Sequence, residues 1–178
     1  MVHSVELLFD ERTEAQVRRM WSALDDAGLP SQARHRSASN RPHVTVMVAE
    51  RLGAAVDEEL AALPDLADAL PLECTVGAPL VFGGGRLVLA RLIVPTEALL
   101  ALQRRVFEVC APHLHEVLPH AGPGHWTPHV TLGRRIRSTD LPAALEALAE
   151  LRGDLTGRFS GLRRWDGDAR VEHRLVGP

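Results

Sequence analysis

Pro42-His43-Val44-Thr45-Val46 and Pro128-His129-Val130-Thr131-Leu132 are nearly the same pentapeptide, set 86 residues apart in a chain of 178. Each opens an alternating apolar run, which predicts two β-strands, one from His43 to Ala49 and one from His129 to Ile136. Side chains alternate faces along a strand, so His43 and Thr45 project one way while Val44 and Val46 project the other. His129 and Thr131 do the same against Val130 and Leu132. The aliphatic residues suit a face packed beneath helices, which leaves two His-x-Thr pairs on open faces.

Working outward, residues 2–9 (VHSVELLF) read as a strand. Thr13-Glu14-Ala15-Gln16 reads as a capping box opening a helix with Val17, Met20, Trp21 and Leu24 on one face, ended by Gly28 and Pro30. A polar segment, SQARHRSASNRP (31–42), leads into the first motif. A second helix carries Val56, Leu60 and Leu63 and stops before Pro64. Residues 72–82 and 86–94 form two apolar strands joined at Gly83-Gly84-Gly85, a hairpin turn, because the triplet lacks the following helix that a phosphate cradle needs. A third helix from Thr96 carries Leu99, Leu102, Val106 and Val109 and gives way to a His-, Gly- and Pro-rich loop ending at Trp126. The second motif is followed by a helix from Asp140 to about Arg152, with Leu141, Leu145 and Leu148, and by strands near 155–164 and 169–176.

The repeat offset lays the first strand over residues 88–95 and the second helix over the fourth. The expectation is an α+β fold of duplicated β-α-β-α-β halves: one domain, residues 1–178, of two pseudo-symmetric lobes (about 1–84 and 85–178) whose equivalent residues face one central cleft.

Composition narrows the chemistry. Lysine and tyrosine are absent, so all 20 basic residues are arginine, and Schiff-base chemistry, a lysyl-adenylate, a P-loop lysine and a Tyr nucleophile are excluded. Against 23 acidic residues the net charge is -3, which excludes bulk duplex binding; three Trp and four Phe are too few for a long stacking platform. A nucleic ligand is therefore short, and nothing calls for more than a monomer. Cys74 and Cys110, 36 residues apart, read as reduced thiols packed as small hydrophobes. The N-terminus lacks a basic n-region, Glu6 and Asp10 interrupt its apolar run, and no stretch nears the roughly 18 apolar residues of a membrane span. These features predict a cytoplasmic protein with no membrane partner. His113, His115, His120 and His125 invite a metal, but their spacing is loose and no carboxylate pairs with them at helical spacing, so no metal and no cofactor are expected.

The two His-x-Thr pairs match the needs of phosphodiester cleavage. In-line displacement at phosphorus needs a base to activate the attacking oxygen and an acid on the opposite side to protonate the leaving one. Histidine serves either role near neutrality, so a pair supplies both without a metal or covalent intermediate. The threonine hydroxyls donate to the non-bridging oxygens as charge grows on them. Arg41 falls on the His43 face. Arg135 shares the parity of His129, whereas Arg134 does so only if a bulge at Gly133 swaps the two. Trp126 is read either as a base-stacking residue or as a plug at the strand entry, and Trp165 and Phe82 as core or hairpin packing. Glu6 is read as a solvent-facing carboxylate, with orientation of a catalytic histidine as the alternative.

The paired HVTV and HVTL motifs, with VELLFD before a helix, RPHVTV, the glycine hairpin and WTPHVTLGR in that order and spacing, resemble the 2H phosphoesterase superfamily over nearly the whole chain, specifically its 2′-5′ RNA ligase-like (LigT-like) branch. The resemblance implies a bilobal α+β fold with a central cleft and metal-independent catalysis by His43 and His129. It implies phosphate contacts from Thr45, Thr131 and Arg134, so the expected site is His43, Thr45, His129 and Thr131 for catalysis and Arg41, Arg134 and Trp126 for substrate. Implied substrates are RNA 2′,3′-cyclic phosphates opened to 2′-phosphates, 2′-5′ linkages, and small cyclic nucleotides such as ADP-ribose cyclic phosphate. The ligase name records an ATP-independent reverse reaction, consistent with a chain that has no lysine to carry an adenylate. Segments 31–42 and 112–127, the candidate recognition loops, carry no base-reading signature, and which histidine is the acid stays open. The competing reading is a non-catalytic nucleotide-binding module of the same fold, which would have no need for two acid-base groups.

Overall fold

Among the described residues, eight apolar or alternating runs form strands: β1 (His3–Phe9), β2 (His43–Leu52), β3 (Leu72–Phe82), β4 (Leu87–Ile93), β5 (Leu114–Val117), β6 (His129–Ile136), β7 (Leu155–Asp166) and β8 (Val171–Val176). Between them lie α1 (Glu11–Asp26), α2 (Ala55–Ala61), α3 (Pro64–Asp68), α4 (Glu97–Cys110) and α5 (Leu141–Ala147). The computed structural model describes residues 2–37, 39–118 and 120–177; positions 38 and 119, inside the two candidate recognition loops, lie outside the described residues.

Local chemistry sets most boundaries. Thr96 caps α4 by accepting from the Leu99 N–H, as expected. The capping box expected at Thr13 is not what opens α1. Asp10 is the cap, its carboxylate accepting from Thr13 N at 2.8 Å. Thr13 Oγ1 instead accepts from Arg158 N at 3.2 Å, and a side chain at Gly157 would collide with it. α2 ends at Ala61, short of the expected Leu63, which instead stands at the N-cap of α3, a helix not expected from the sequence, whose first turn suits Pro64 and its missing N–H. The helix expected from Asp140 to Arg152 is α5 flanked by single 3-10 turns at Ser138–Asp140 and Ala149–Leu151. The loop expected after α4 contains β5, four residues that pair with the end of β2.

All strand pairings are antiparallel. β1 lies between β2 and β7; β2 touches β6; and β6, β4 and β3 lead back to β7. The path of paired strands therefore closes on itself, because the long β7 pairs its first part with β3 and its last part with β1. Within this one sheet, β2, flanked by β1, β5 and β6, carries His43, and β6, flanked by β2 and β4, carries His129. β3 pairs with β4 and β7, and β7 also pairs with β1 and β8. Leu7 lies opposite Val44 as Arg91 lies opposite Val130, so β1 maps on β4 with an offset of 84 rather than 86, the second connection to the motif being two residues longer.

Val44, Val46, Val130 and Leu132 are buried with the apolar faces of α1 and α4 in a single core. Among the described residues, Arg91, Arg163 and Arg164 are buried as well. Arg91, fully buried, donates through Nη1 to Leu151 O at 2.7 Å and through Nη2 to Gly153 O at 2.9 Å and Arg152 O at 3.1 Å, and it also reaches the carbonyls of Val76 and Gly77. A guanidinium with five donors thus serves carbonyls at the end of a 3-10 turn and along β3.

Candidate active site

A single register fact gathers the two motifs. Val44 of β2 lies directly opposite Val130 of β6. Opposed residues in a ladder share a face, so the residues on either side of each valine share the other one. Antiparallel pairing at that point runs His43 alongside Thr131 and Thr45 alongside His129. All four side chains are half-buried, whereas both valines are fully enclosed.

Each motif is followed by a bulge. On β2, Glu6 pairs with Thr45 and Val5 with Met47, leaving Val46 as an extra residue; on β6, Ala90 pairs with Thr131 and Leu89 with Gly133, leaving Leu132 extra. A bulge disrupts the ladder locally, and the neighbouring carbonyls need other donors. Trp126 Nε1 donates to Thr45 O at 2.8 Å, Trp21 Nε1 to Thr131 O at 2.9 Å, and the buried Gln103 to Val46 O at 3.3 Å.

The second bulge also settles the arginines. Arg134 pairs with Val88, two positions from the Ala90 that opposes Thr131, so it shares the face of His129 and Thr131. Arg135 is skipped by the ladder and has φ 63°, in the left-handed region. Gly133 is required where it stands: a Cβ there would come within 2.3 Å of Pro30 O.

Both imidazoles are held the same way. His43 Nδ1 lies 2.7 Å from Arg41 O, and His129 Nδ1 lies 2.7 Å from Thr127 O. A carbonyl only accepts, so Nδ1 carries the proton in both rings and each Nε2 is left for chemistry. Burial lowers the pKa of His129 below the ordinary imidazole value. The bond to Thr127 O opposes this, and the charges of Arg134 and His43 add to it. The His129 ring also rests on Phe82, with centroids 4.6 Å apart, so Phe82 is more than hairpin packing.

His43 has different company. Its Nε2 lies 3.7 Å from the carboxylate of Glu6, which is 5% exposed and so not the solvent-facing group expected. Arg163 and Ser4 hold Glu6 in place. Arg41 pairs with Glu14 of α1, its Nε at 3.0 Å. Trp126 packs its ring on the core, as a plug at the strand entry would. Trp165 is half-buried opposite Ser4.

Trp21, Gln103 and Arg163 went unread as site residues. A Gln on the buried stripe of α4 and an Arg within the largely buried β7 were the available signals. Both cysteines are buried, their thiols pushed up to about 12 chiefly by burial, as packed thiols would be. His113 pairs with Glu59 at 2.9 Å, and among the described residues no three His, Cys, Asp or Glu are grouped to hold a metal ion. Among them, too, no helix is long and apolar enough to cross a membrane.

Solved structures share this fold. Kluyveromyces marxianus Usb1 with uridine monophosphate is 13% identical with a TM-score of 0.53, covering 98% of this chain and 97% of that one. Escherichia coli LigT in apo form is 12% identical with a TM-score of 0.54, covering 99% and 98%. TT0787 of Thermus thermophilus is 16% identical with a TM-score of 0.54, covering 98% and 95%. No curated protein matches the sequence significantly. The sequence model of the 2′-5′ RNA ligase superfamily matches residues 9–170, and with its two His-x-Thr strands on one face of a LigT-like fold the chain belongs to that superfamily.

Proposed function

We propose that this protein is a metal-independent phosphodiesterase that opens 2′,3′-cyclic phosphates or cleaves 2′-5′ linkages at short RNA ends or in small nucleotides. The observation that carries this reading is the Val44–Val130 pair, which turns both His-x-Thr motifs toward one space, each imidazole with a free Nε2. One histidine takes the proton of the attacking water as its oxygen bonds to phosphorus; the other gives a proton to the leaving oxygen. Thr45, Thr131 and Arg134 stabilise the charge on the non-bridging oxygens. With a ribose hydroxyl in place of water as the oxygen that bonds to phosphorus, and a ring oxygen of the cyclic phosphate leaving with the other proton, the same pair joins ends without ATP. Nucleotides bound to proteins of this fold support the substrate class: the Usb1 structure is with uridine monophosphate, and a LigT structure is a complex with 3′-AMP. The acting form is a monomer in the cytoplasm that takes up no duplex.

The test is hydrolysis with EDTA present, on 2′,3′-cyclic nucleotides, 2′-5′ and 3′-5′ dinucleotides and ADP-ribose cyclic phosphate. His43→Ala and His129→Ala are each expected to lose about 10²- to 10⁴-fold in turnover while still folding. Ligand binding without turnover anywhere on the panel would replace the enzyme with a nucleotide-binding module.

A further inference from the structure

The ladder along β2 is interrupted beside the site. Val44 pairs with Val130 of β6 and Ala49 with Val117 of β5, so five positions along β2 correspond to thirteen along the partner chain. The chain between β5 and β6 therefore leaves the sheet, and the β2 carbonyls it uncovers need other donors. Leu118 N donates to Val48 O at 3.5 Å, Trp126 Nε1 to Thr45 O at 2.8 Å, and Gln103 Nε2 to Val46 O at 3.3 Å. Gln103 does one thing more. Its Nε2 also donates to Ala121 O at 3.0 Å, so one amide spans from the bulge of β2 to the chain that has left it. Both partners are carbonyls, which only accept, so the amide nitrogen faces them, with one hydrogen for each. Six residues after Ala121, Thr127 O holds the His129 ring through Nδ1. Packing does not call for a glutamine here. Gln103 stands seven residues after the cap of α4 and is 2% exposed; seven residues after the cap of α1 stands Val17, fully buried. α4 lies against β2 as α1 lies against β6. A valine fills that place beneath one motif strand, whereas beneath the other a polar side chain is buried at a cost that its hydrogen bonds must offset.

We propose that Gln103 is a positioning residue: it ties the strand of His43 and Thr45 to the segment that aims the His129 ring, and so sets the two halves of the site against each other. The inference rests on the phosphodiesterase reading. In-line displacement needs both imidazoles aligned on one phosphorus, and a misplacement of about 1 Å costs on the order of 10²-fold in rate. Trp126 holds the same segment at Thr45 O, but a single bond leaves the segment free to turn about it. Gln103 grips it five residues earlier, at Ala121, and two points fix a direction where one does not. The aim of the ring then passes from the Gln103 amide through residues 121–127 to the Thr127 carbonyl and the Nδ1–H of His129.

The experiment compares the wild type with Gln103→Met, which keeps the bulk and deletes the N–H groups, at a temperature where circular dichroism shows both folded. On a 2′,3′-cyclic nucleotide kcat is expected to fall about 10- to 100-fold with KM within about twofold. In nitrogen NMR of the free protein at about pH 8, where the His129 ring is neutral, that ring is expected to leave the Nδ1–H tautomer for a mixture, while His43, held by Arg41 O just before its own strand, keeps it. Wild-type kcat, or an unmoved His129 tautomer, in the folded variant overturns the inference alone. No wild-type turnover with the tautomer change present overturns the phosphodiesterase reading and supports the hold of Gln103 on the segment. Should Gln103→Met fail to fold, Gln103→Asn, which keeps the amide but is one methylene too short to span both carbonyls, carries the same two expectations.

Discussion

His129 shows how one side chain's surroundings set its chemistry. Burial, including the Phe82 ring, disfavours the imidazolium, and the charge of Arg134 adds to that. Phe82→Ala and Arg134→Gln each remove one of these influences, so each is expected to raise the NMR midpoint of His129 toward the ordinary 6.5. A midpoint that fell in either variant would contradict this account. Arg134→Gln should in addition raise KM, since the arginine makes no other ion pair or side-chain hydrogen bond among the described residues. Gly133→Ala is a matter of space rather than charge. The new methyl would press on the Pro30 carbonyl at the bulge, costing about 1–3 kcal/mol and showing as a lower Tm. At this scale the four motif residues were legible, because a strand's alternation places them by parity alone. Glu6 was not, because a carboxylate in an apolar strand reads as outward, and its burial is made tolerable by His43 and Arg163, both distant in sequence, together with Ser4.

The strands β2 and β6 reach the site bent, and that bend is held by indoles from α1 and from the segment before β6. Trp126→Phe and Trp21→Phe keep an aromatic ring and delete the N–H, leaving the carbonyl of Thr45 or Thr131 without that donor. Each is expected to cost about 1–3 kcal/mol and to lower kcat more than it changes KM, because the hydroxyl and imidazole on the bulged strand lose their fixed aim. Circular dichroism melts and steady-state kinetics on the two variants check this; unchanged kcat at lowered Tm would leave the indoles with a purely structural role. The legibility of the elements follows the same physics. β6 begins and ends where its alternation predicts, and Thr96 caps α4 as its side chain predicts. α1 was misread at its start because Asp10 and Thr13 both satisfy the local pattern, and what decides between them is a backbone N–H from Arg158 on β7. β5 escaped notice because four residues carry too little periodicity, and its existence depends on the free edge of β2.

At the scale of the molecule, the repeat announced two halves but not how they are joined. β7 pairs with β3 at one end and β1 at the other, so the two motif strands and their neighbours cannot separate without breaking one of those ladders. Unfolding is therefore expected to be a single transition, with tryptophan fluorescence and far-UV dichroism coincident. Its pH dependence follows from groups spread over both lobes. His129 has a lowered pKa in the fold, so the unfolded chain binds its proton first, and the stability it contributes is present above 6.5 and lost as pH falls below that value. Glu6, Asp166 and Asp168 also sit below their ordinary values, 4.5 for Glu and 3.8 for Asp, and their contribution is lost as pH falls through those lowered values. Tm is thus expected to be flat from neutrality to about pH 9, to fall above that as the unfolded chain loses the thiol protons that burial holds on Cys74 and Cys110, to decline gently below about pH 6.5 and to drop steeply once the carboxyls begin to protonate. Glu6→Gln should shallow only the steep part, since it removes one of the carboxyls that must protonate and leaves His129 in place. A Tm that rose on acidification between pH 6.5 and 4.5, or two transitions that moved independently with pH, would show that the lobes unfold as separate units and that His129 is not the neutral, buried ring described above.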